Sequence, residues 1–321
     1  MQNVLSVNDL VIGFNTQKGM ARAVDGVSFA LPAGQIFGLV GESGCGKSIT
    51  ALSLLQLLPQ PPAQILAGSA IFNGHNLLTL NAAEINKIRG ASIGMVFQEP
   101  MTSLNPVFTV GEQVAEPLRL HAGLSPRAAK QEAVRLLEQV GITNASARAK
   151  AYPHELSGGM RQRVMIAMAT GCNPQLLIAD EPTTALDASL QGQILDLLQL
   201  SQKKSGSAML LITHDLNIVA GYASNMAVMY SGKIVESGPV KTVLTNPAHP
   251  YTKGLINSRP RFNPGQRYQR LPAIAGTVPL PLNRPSGCAF SNRCPNATEH
   301  CTIKMPQLKT IAPNHQSRCW L

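Results

Sequence analysis

Gly41-Glu42-Ser43-Gly44-Cys45-Gly46-Lys47-Ser48 is the segment whose residue types and spacing most directly specify chemistry. It follows an apolar run, Gln35–Val40, and precedes an apolar-periodic stretch, Ile49–Leu58. The glycines let successive backbone N–H groups turn inward on a phosphate chain, and a helix beginning near Lys47 aims its positive dipole end at the same anion. Lys47 can reach the β- and γ-phosphates, and the Ser48 hydroxyl can ligate magnesium. Ser43, Gly44, Cys45, Gly46 and Ile49 complete the expected nucleotide contacts. Leu176-Leu177-Ile178-Ala179-Asp180-Glu181 reads as a buried strand ending in two acids. Asp180 can hold the magnesium water shell, while Glu181 can polarise a water for in-line attack on the γ-phosphate. Together these residues describe phosphoryl transfer to water.

Such groups need a scaffold of strands and helices. Strands are expected at Gln35–Val40, Ile93–Phe97, Gln175–Asp180, Ala208–Thr213 and Asn225–Tyr230, alternating with helix-like segments. That alternation predicts an α/β fold on a largely parallel sheet. Ser231-Gly232 predicts a tight turn into Lys233–Glu236, a terminal hairpin. Between Ile93 and Gln175 helical patterns dominate, as in Pro126–Val140 and Gly158–Thr170, and they read as an inserted helical subdomain. After Ser258 the texture changes. Arg259–Gly287 carries Pro260, Pro264, Pro272, Pro279, Pro281 and Pro285, a linker or an ordered surface coil.

With 321 residues and 44% hydrophobic content, the chain suits one large domain with an extension. No apolar run is long enough to span a bilayer, and Met1–Leu10 has no signal-peptide character, so any membrane is expected to be met through a partner. The formal charge of +10 lies in the tail: residues 241–321 hold 11 of the 27 basic residues but one acid, Glu299, of 17. Nucleic acid, anionic lipid, an acidic protein surface and simple solvation all fit such a tail.

Leu156-Ser157-Gly158-Gly159-Met160 resembles the signature motif of the ABC ATPases. Physically, Ser157 and the Gly158 and Gly159 amides open a helix, a second N-terminus suited to a γ-phosphate. The resemblance implies that it serves ATP held by an opposite subunit, with two ATPs sandwiched between two domains. Gln98 resembles the glutamine that contacts magnesium and the attacking water and senses the transmembrane partner. Ala185-Leu186-Asp187 resembles the loop crossing the dimer interface, which brings in Asp187. His214 resembles the histidine on the γ-phosphate, and Phe14 is similar in placement to the aromatic that stacks on adenine. The resemblance covers roughly residues 4–260. It implies a P-loop NTPase: a RecA-like core with an antiparallel β subdomain and an inserted helical subdomain over about residues 99–170. The expected domains are an ATPase domain, 1–258, and a small Cys-rich C-terminal extension, 259–321.

Gln98–Pro106 and Asn246–Thr252 narrow the resemblance to the dipeptide/oligopeptide/nickel importer branch, in which the signature's fifth residue is similar to Met160. The branch implies ATP and Mg2+ as cofactors and a second, different ATPase polypeptide as dimer partner. It also implies two transmembrane permeases and, indirectly, a periplasmic or lipid-anchored solute-binding protein. The chain would then be peripheral, on the cytoplasmic face of the inner membrane. The rival is a soluble ABC-type ATPase acting on nucleic acid or ribosomes. The tail offers it few stacking aromatics (Phe262, Tyr268, Phe290 and Trp320) and no recognisable nucleic-acid fold, so no nucleic acid is expected.

Cys288, Cys294, Cys301 and Cys319 are spaced C-x5-C-x6-C-x17-C. Without secretion, a metal is a better expectation for them than disulfides. Four thiolates satisfy zinc or an iron–sulfur cluster. The lack of a close C-x2-C pair and the Cys294-Pro295 step favour a 4Fe-4S cluster, with Zn2+ as the alternative and unliganded thiols as a lesser one. His315 could substitute as a ligand.

Overall fold

Strands form where apolar runs are stopped by Gly, Pro, Asn or Ser, and most of the predicted ones hold to within a residue. The computed structural model describes residues 3–184, 186–259 and 272–321. Ala185 and, in the Pro-rich segment, Pro260, Phe262, Pro264 and Tyr268 lie outside the described residues. The early strands are β1 Asn3–Thr16, β2 Gly19–Pro32, β3 Ile36–Val40, β4 Ala63–Phe72 and β5 His75–Asn76. β6 Ile93–Val96, β7 Leu176–Asp180, β8 Ala208–Thr213, β9 Asn225–Tyr230 and β10 Lys233–Pro239 follow. The tail adds β11 Lys309–Ala312 and β12 His315–Ser317.

The chain divides into two compact units, interleaved in sequence. The first takes in the chain up to Leu5, Ala30–Ile36 and Ile71–Ile212; the second takes in Ser6–Phe29, Phe37–Ala70 and Thr213–Leu321.

In the first unit β8, β7 and β6 lie parallel, with Leu176 opposite both Ile93 and Ala208. β7 is buried along its whole length, as a parallel strand covered on both faces should be. The expected insert is present between β6 and β7 as helices Pro100–Ser103, Val110–His121, Pro126–Gln139, Ala145–Arg148 and Gly158–Thr170. Their starts follow from local sequence. Thr109, Ser125 and Ser157 each accept a backbone N–H three residues on, and Pro126 fills a first-turn position that needs no N–H.

In the second unit β3 runs parallel to β9, with Val40 opposite Val228. Ser231 and Gly232 both have positive φ, 43° and 80°, and they turn β9 back into β10. The tail then extends this sheet. β12 pairs antiparallel with β10, and β11 with β12. Sequence pattern does not announce either strand, since β11 is exposed throughout and β12 is three residues long. Phe290 of the tail is buried in the same core as Val40, Val228, Tyr230 and Tyr251.

Candidate functional site

The phosphate-binding loop leaves β3 and enters the helix Lys47–Leu54 within the second unit. Gly46, the residue before that helix, has φ 108°, and an added Cβ would lie 2.8 Å from the Ala23 carbonyl. Only glycine suits the position. Lys47 is 4% exposed, and its ammonium donates to the carbonyls of Gly41 at 2.8 Å and Glu42 at 3.2 Å. The lysine is thus folded back along the loop it must serve. Ser43 and Gly44 are exposed at the loop's crest, while Ser48 and Ile49 are half-buried in the first helical turn. Cys45 is fully buried, and burial pushes its thiol pKa up, so it behaves as an inert packing group. Phe14 is half-buried near the end of β1. His214, exposed, follows β8 directly.

The acid pair belongs to the first unit. Asp180 ends β7 and is 3% exposed; Glu181 follows, 7% exposed, with φ 43°. A left-handed glutamate is costly backbone, held here by its N–H donating to the Ile212 carbonyl at 2.9 Å. Its carboxylate accepts the Thr184 hydroxyl at 3.1 Å. Gln98 is exposed two residues past β6; Val96 faces Ala179 in the ladder, so Gln98 and Glu181 leave the same end of neighbouring strands. Ser157 caps the helix Gly158–Thr170 by accepting the Met160 N–H at 3.3 Å, and Gly158 is exposed. Asp187 caps the helix Ala188–Ser205, accepting the Leu190 N–H at 2.9 Å.

All four tail cysteines line one small pocket of the second unit, beside Phe290, Pro306 and Trp320. They are free thiols. Burial first, and then the neighbouring cysteines, push Cys288 and Cys294 above the usual thiol range. Among the described residues no three His, Cys, Asp or Glu side chains gather closely enough to hold a single metal ion. His315 is engaged elsewhere: its Nε2 lies 2.7 Å from the Glu236 carboxylate. Glu236 is fully buried and also accepts the N–H groups of Ala248 and His249.

Comparison with known proteins now gives the arrangement its context. Residues 24–184 match the family described as ABC transporter. The chain belongs to the ABC transporter family. As an ABC ATPase it carries a second match, at residues 235–301, to the region described as oligopeptide/dipeptide transporter, C-terminal. A provisionally named peptide import ATP-binding protein of Brucella melitensis is 52% identical, covering 99% of this chain and 97% of that protein. The dipeptide transport ATP-binding protein DppD of Bacillus subtilis is 47% identical, covering 100% and 95%. The dimeric ABC transporter cassette MJ0796 superimposes with a TM-score of 0.66 at 26% identity, over 74% of this ABC ATPase and 98% of that chain.

Sequence reasoning passed over several residues that the structure ties to the phosphate loop. Tyr251, fully buried, accepts the Glu42 N–H at 2.9 Å. Arg293 grips the Glu42 carboxylate with both ends of its guanidinium, at 2.7 and 3.1 Å. Burial disfavours the Arg293 charge, but bonds to Glu42 and Tyr230 outweigh it and leave the pKa above the ordinary arginine value. Tyr251 stood inside the quoted Asn246–Thr252 motif, which was the available signal. Arg293 had none beyond its place next to Cys294.

Proposed function

We propose that this chain hydrolyses ATP to energise import of dipeptides or oligopeptides by an ABC transporter. The observation that carries the reading is the phosphate loop with Lys47 folded along it, in a chain whose residues 235–301 match a peptide-transporter region. Full-length similarity to transport ATPases favours it over an ATPase acting on nucleic acid or ribosomes. We take residues 1–258 as the ATPase domain and 259–321 as its extension.

Lys47, with the amides of Ser43–Ser48, holds the β- and γ-phosphates, and Phe14 stacks on adenine. Ser48, Asp180 and Gln98 offer hard oxygen donors that fit Mg2+, which when bound neutralises charge on the β- and γ-phosphates. Glu181 polarises the attacking water, and His214 steadies the γ-phosphate as charge develops. Ser157, Gly158 and Gly159 serve the partner's nucleotide, with Asp187 at the dimer interface. The partner ATPase is a different polypeptide, and two permeases and a solute-binding protein complete the assembly. The chain sits peripherally on the cytoplasmic face of the membrane. Among the described residues no helix is long and apolar enough to cross it.

Cys288, Cys294, Cys301 and Cys319 hold a 4Fe-4S cluster, whose all-thiolate donor set they match and which ties the tail together. Their common pocket supports this, because it is lined by all four thiols at once.

The deciding experiment is Glu181→Gln in the assembled transporter. The variant should still bind Mg-ATP but lose turnover by on the order of a hundredfold. Near-wild-type hydrolysis would remove Glu181 from its role, and failure of the wild-type chain to bind ATP would remove the reading itself.

A further inference from the structure

An acid inside a phosphate-binding loop is a physical problem. The loop works by presenting amide N–H groups and a lysine to an anion, and a free carboxylate there repels the same anion. Glu42 is such an acid, the second residue of the loop. Its surroundings deal with each of its polar groups in turn. Its carbonyl accepts Lys47 Nζ at 3.2 Å and the Cys45 N–H at 3.3 Å. Its own N–H goes to the Tyr251 hydroxyl, and its carboxylate goes to the Arg293 fork.

The two outer partners come from the C-terminal part of the chain, and both are firmly built in. The Arg293 side chain is 7% exposed. Its remaining N–H groups donate to the Ala275 carbonyl at 2.8 Å and the Tyr230 hydroxyl at 3.3 Å. The guanidinium also lies over the rings of Tyr230 and Phe290, 5.7 and 5.9 Å from their centroids. Tyr251 packs against the same two rings, at 4.6 and 5.4 Å. A planar fork held by hydrogen bonds to Glu42, Tyr230, Ala275 and, at 3.4 Å, the Ile274 carbonyl is a rigid counter-charge, unlike a mobile surface lysine.

We propose that Arg293, with Tyr251, is a positioning residue for nucleotide: it neutralises Glu42 and fixes the loop shape that Lys47 needs, so ATP affinity depends on engagement of the C-terminal segment. The inference rests on the phosphate loop being the ATP site. It adds a control, since Arg293 adjoins Cys294 and Phe290 lines the cysteine pocket. A disturbance of that pocket loosens the fork and is felt at Lys47.

The test is Mg-ATP binding by the purified full-length chain, read with a fluorescent ATP analogue, with Lys47→Ala as the no-binding control. Arg293→Ala should weaken binding roughly tenfold, within the usual range of coupling between sites. Glu42→Gln in that background should recover most of the loss, because it removes the uncompensated charge without restoring the fork. A merely structural arginine would give no such rescue. If Arg293→Ala does not fold, the Glu42 variants decide. Glu42→Asp keeps the charge but shortens the reach, and it should bind about fivefold more weakly than Glu42→Gln. Wild-type affinity in Arg293→Ala, absence of rescue, or equal binding by the two Glu42 variants would each overturn the proposal. Absence of binding by the wild type would instead overturn the ATP-site reading.

Discussion

Gly158 is where one added side chain separates two models of how the chain uses ATP. A Cβ built there meets nothing within 4 Å, so a larger residue fits without strain. Aspartate in the first turn of the helix Gly158–Thr170 would even favour the helix, since the N-terminal dipole end attracts anions. The fold should therefore tolerate Gly158→Asp, while a γ-phosphate presented by a partner subunit should be repelled. The variant is expected to bind ATP at its own phosphate loop as the wild type does, and to lose turnover in the assembled transporter by about a hundredfold. Nucleotide-binding and turnover assays on the same preparation check this. Loss of ATP from its own loop, with turnover of the partner's nucleotide kept, would refute action across the interface. At this scale much was legible: Lys47, Asp180, Glu181 and Ser157 announce themselves by type and spacing. The left-handed Glu181 and its bond to Thr184 did not, because backbone angle is set by the turn after β7 rather than by residue type.

At the scale of elements, legibility follows burial. β3, β7 and β8 are buried at every residue, and such strands write themselves as unbroken apolar runs. β11 and β12 write nothing, because an edge hairpin gains its place from pairing with β10 and from His315 on Glu236. The tail is thus held within the second unit by a strand, the buried His315–Glu236 hydrogen bond and Phe290. The four cysteines line one pocket within that frame, where we propose the cluster. Anaerobically purified protein should be brown and carry about four iron atoms and four acid-labile sulfides per chain. Stoichiometric zinc without labile sulfide would replace the cluster with Zn2+, and metal-free protein with intact tail packing would reject both. The pocket should also govern folding of the tail, since so small a segment has little apolar material of its own.

At the scale of the whole molecule, the question is how ATP hydrolysis becomes work on a membrane partner. Within the first unit, the segment after Gln98 carries the physical means. Met101, Val107 and Phe108 are 66, 71 and 52% exposed, a concentration of large apolar side chains that water does not favour. Leu104 beside them is buried, so the segment is anchored as well as presented. Buried Gln113 pins it further: its amide donates to the carbonyls of Asn105 and Phe108, and its oxygen accepts the Asn105 N–H. A held apolar surface continuous with Gln98 suits a protein partner better than a lipid headgroup, which the basic tail would attract only within a Debye length of about 8 Å. Co-expressed with permeases and the partner ATPase, the chain should sediment with membranes and resist a moderate salt wash. Crosslinkers at residues 99–120 should reach a cytoplasmic permease loop, and Phe108→Asp should release the chain from the membrane while leaving its own ATP binding intact. A salt-sensitive complex with DNA or ribosomes, and no permease crosslink, would hand the molecule to the rival reading, with the tail's excess of basic residues as its contact.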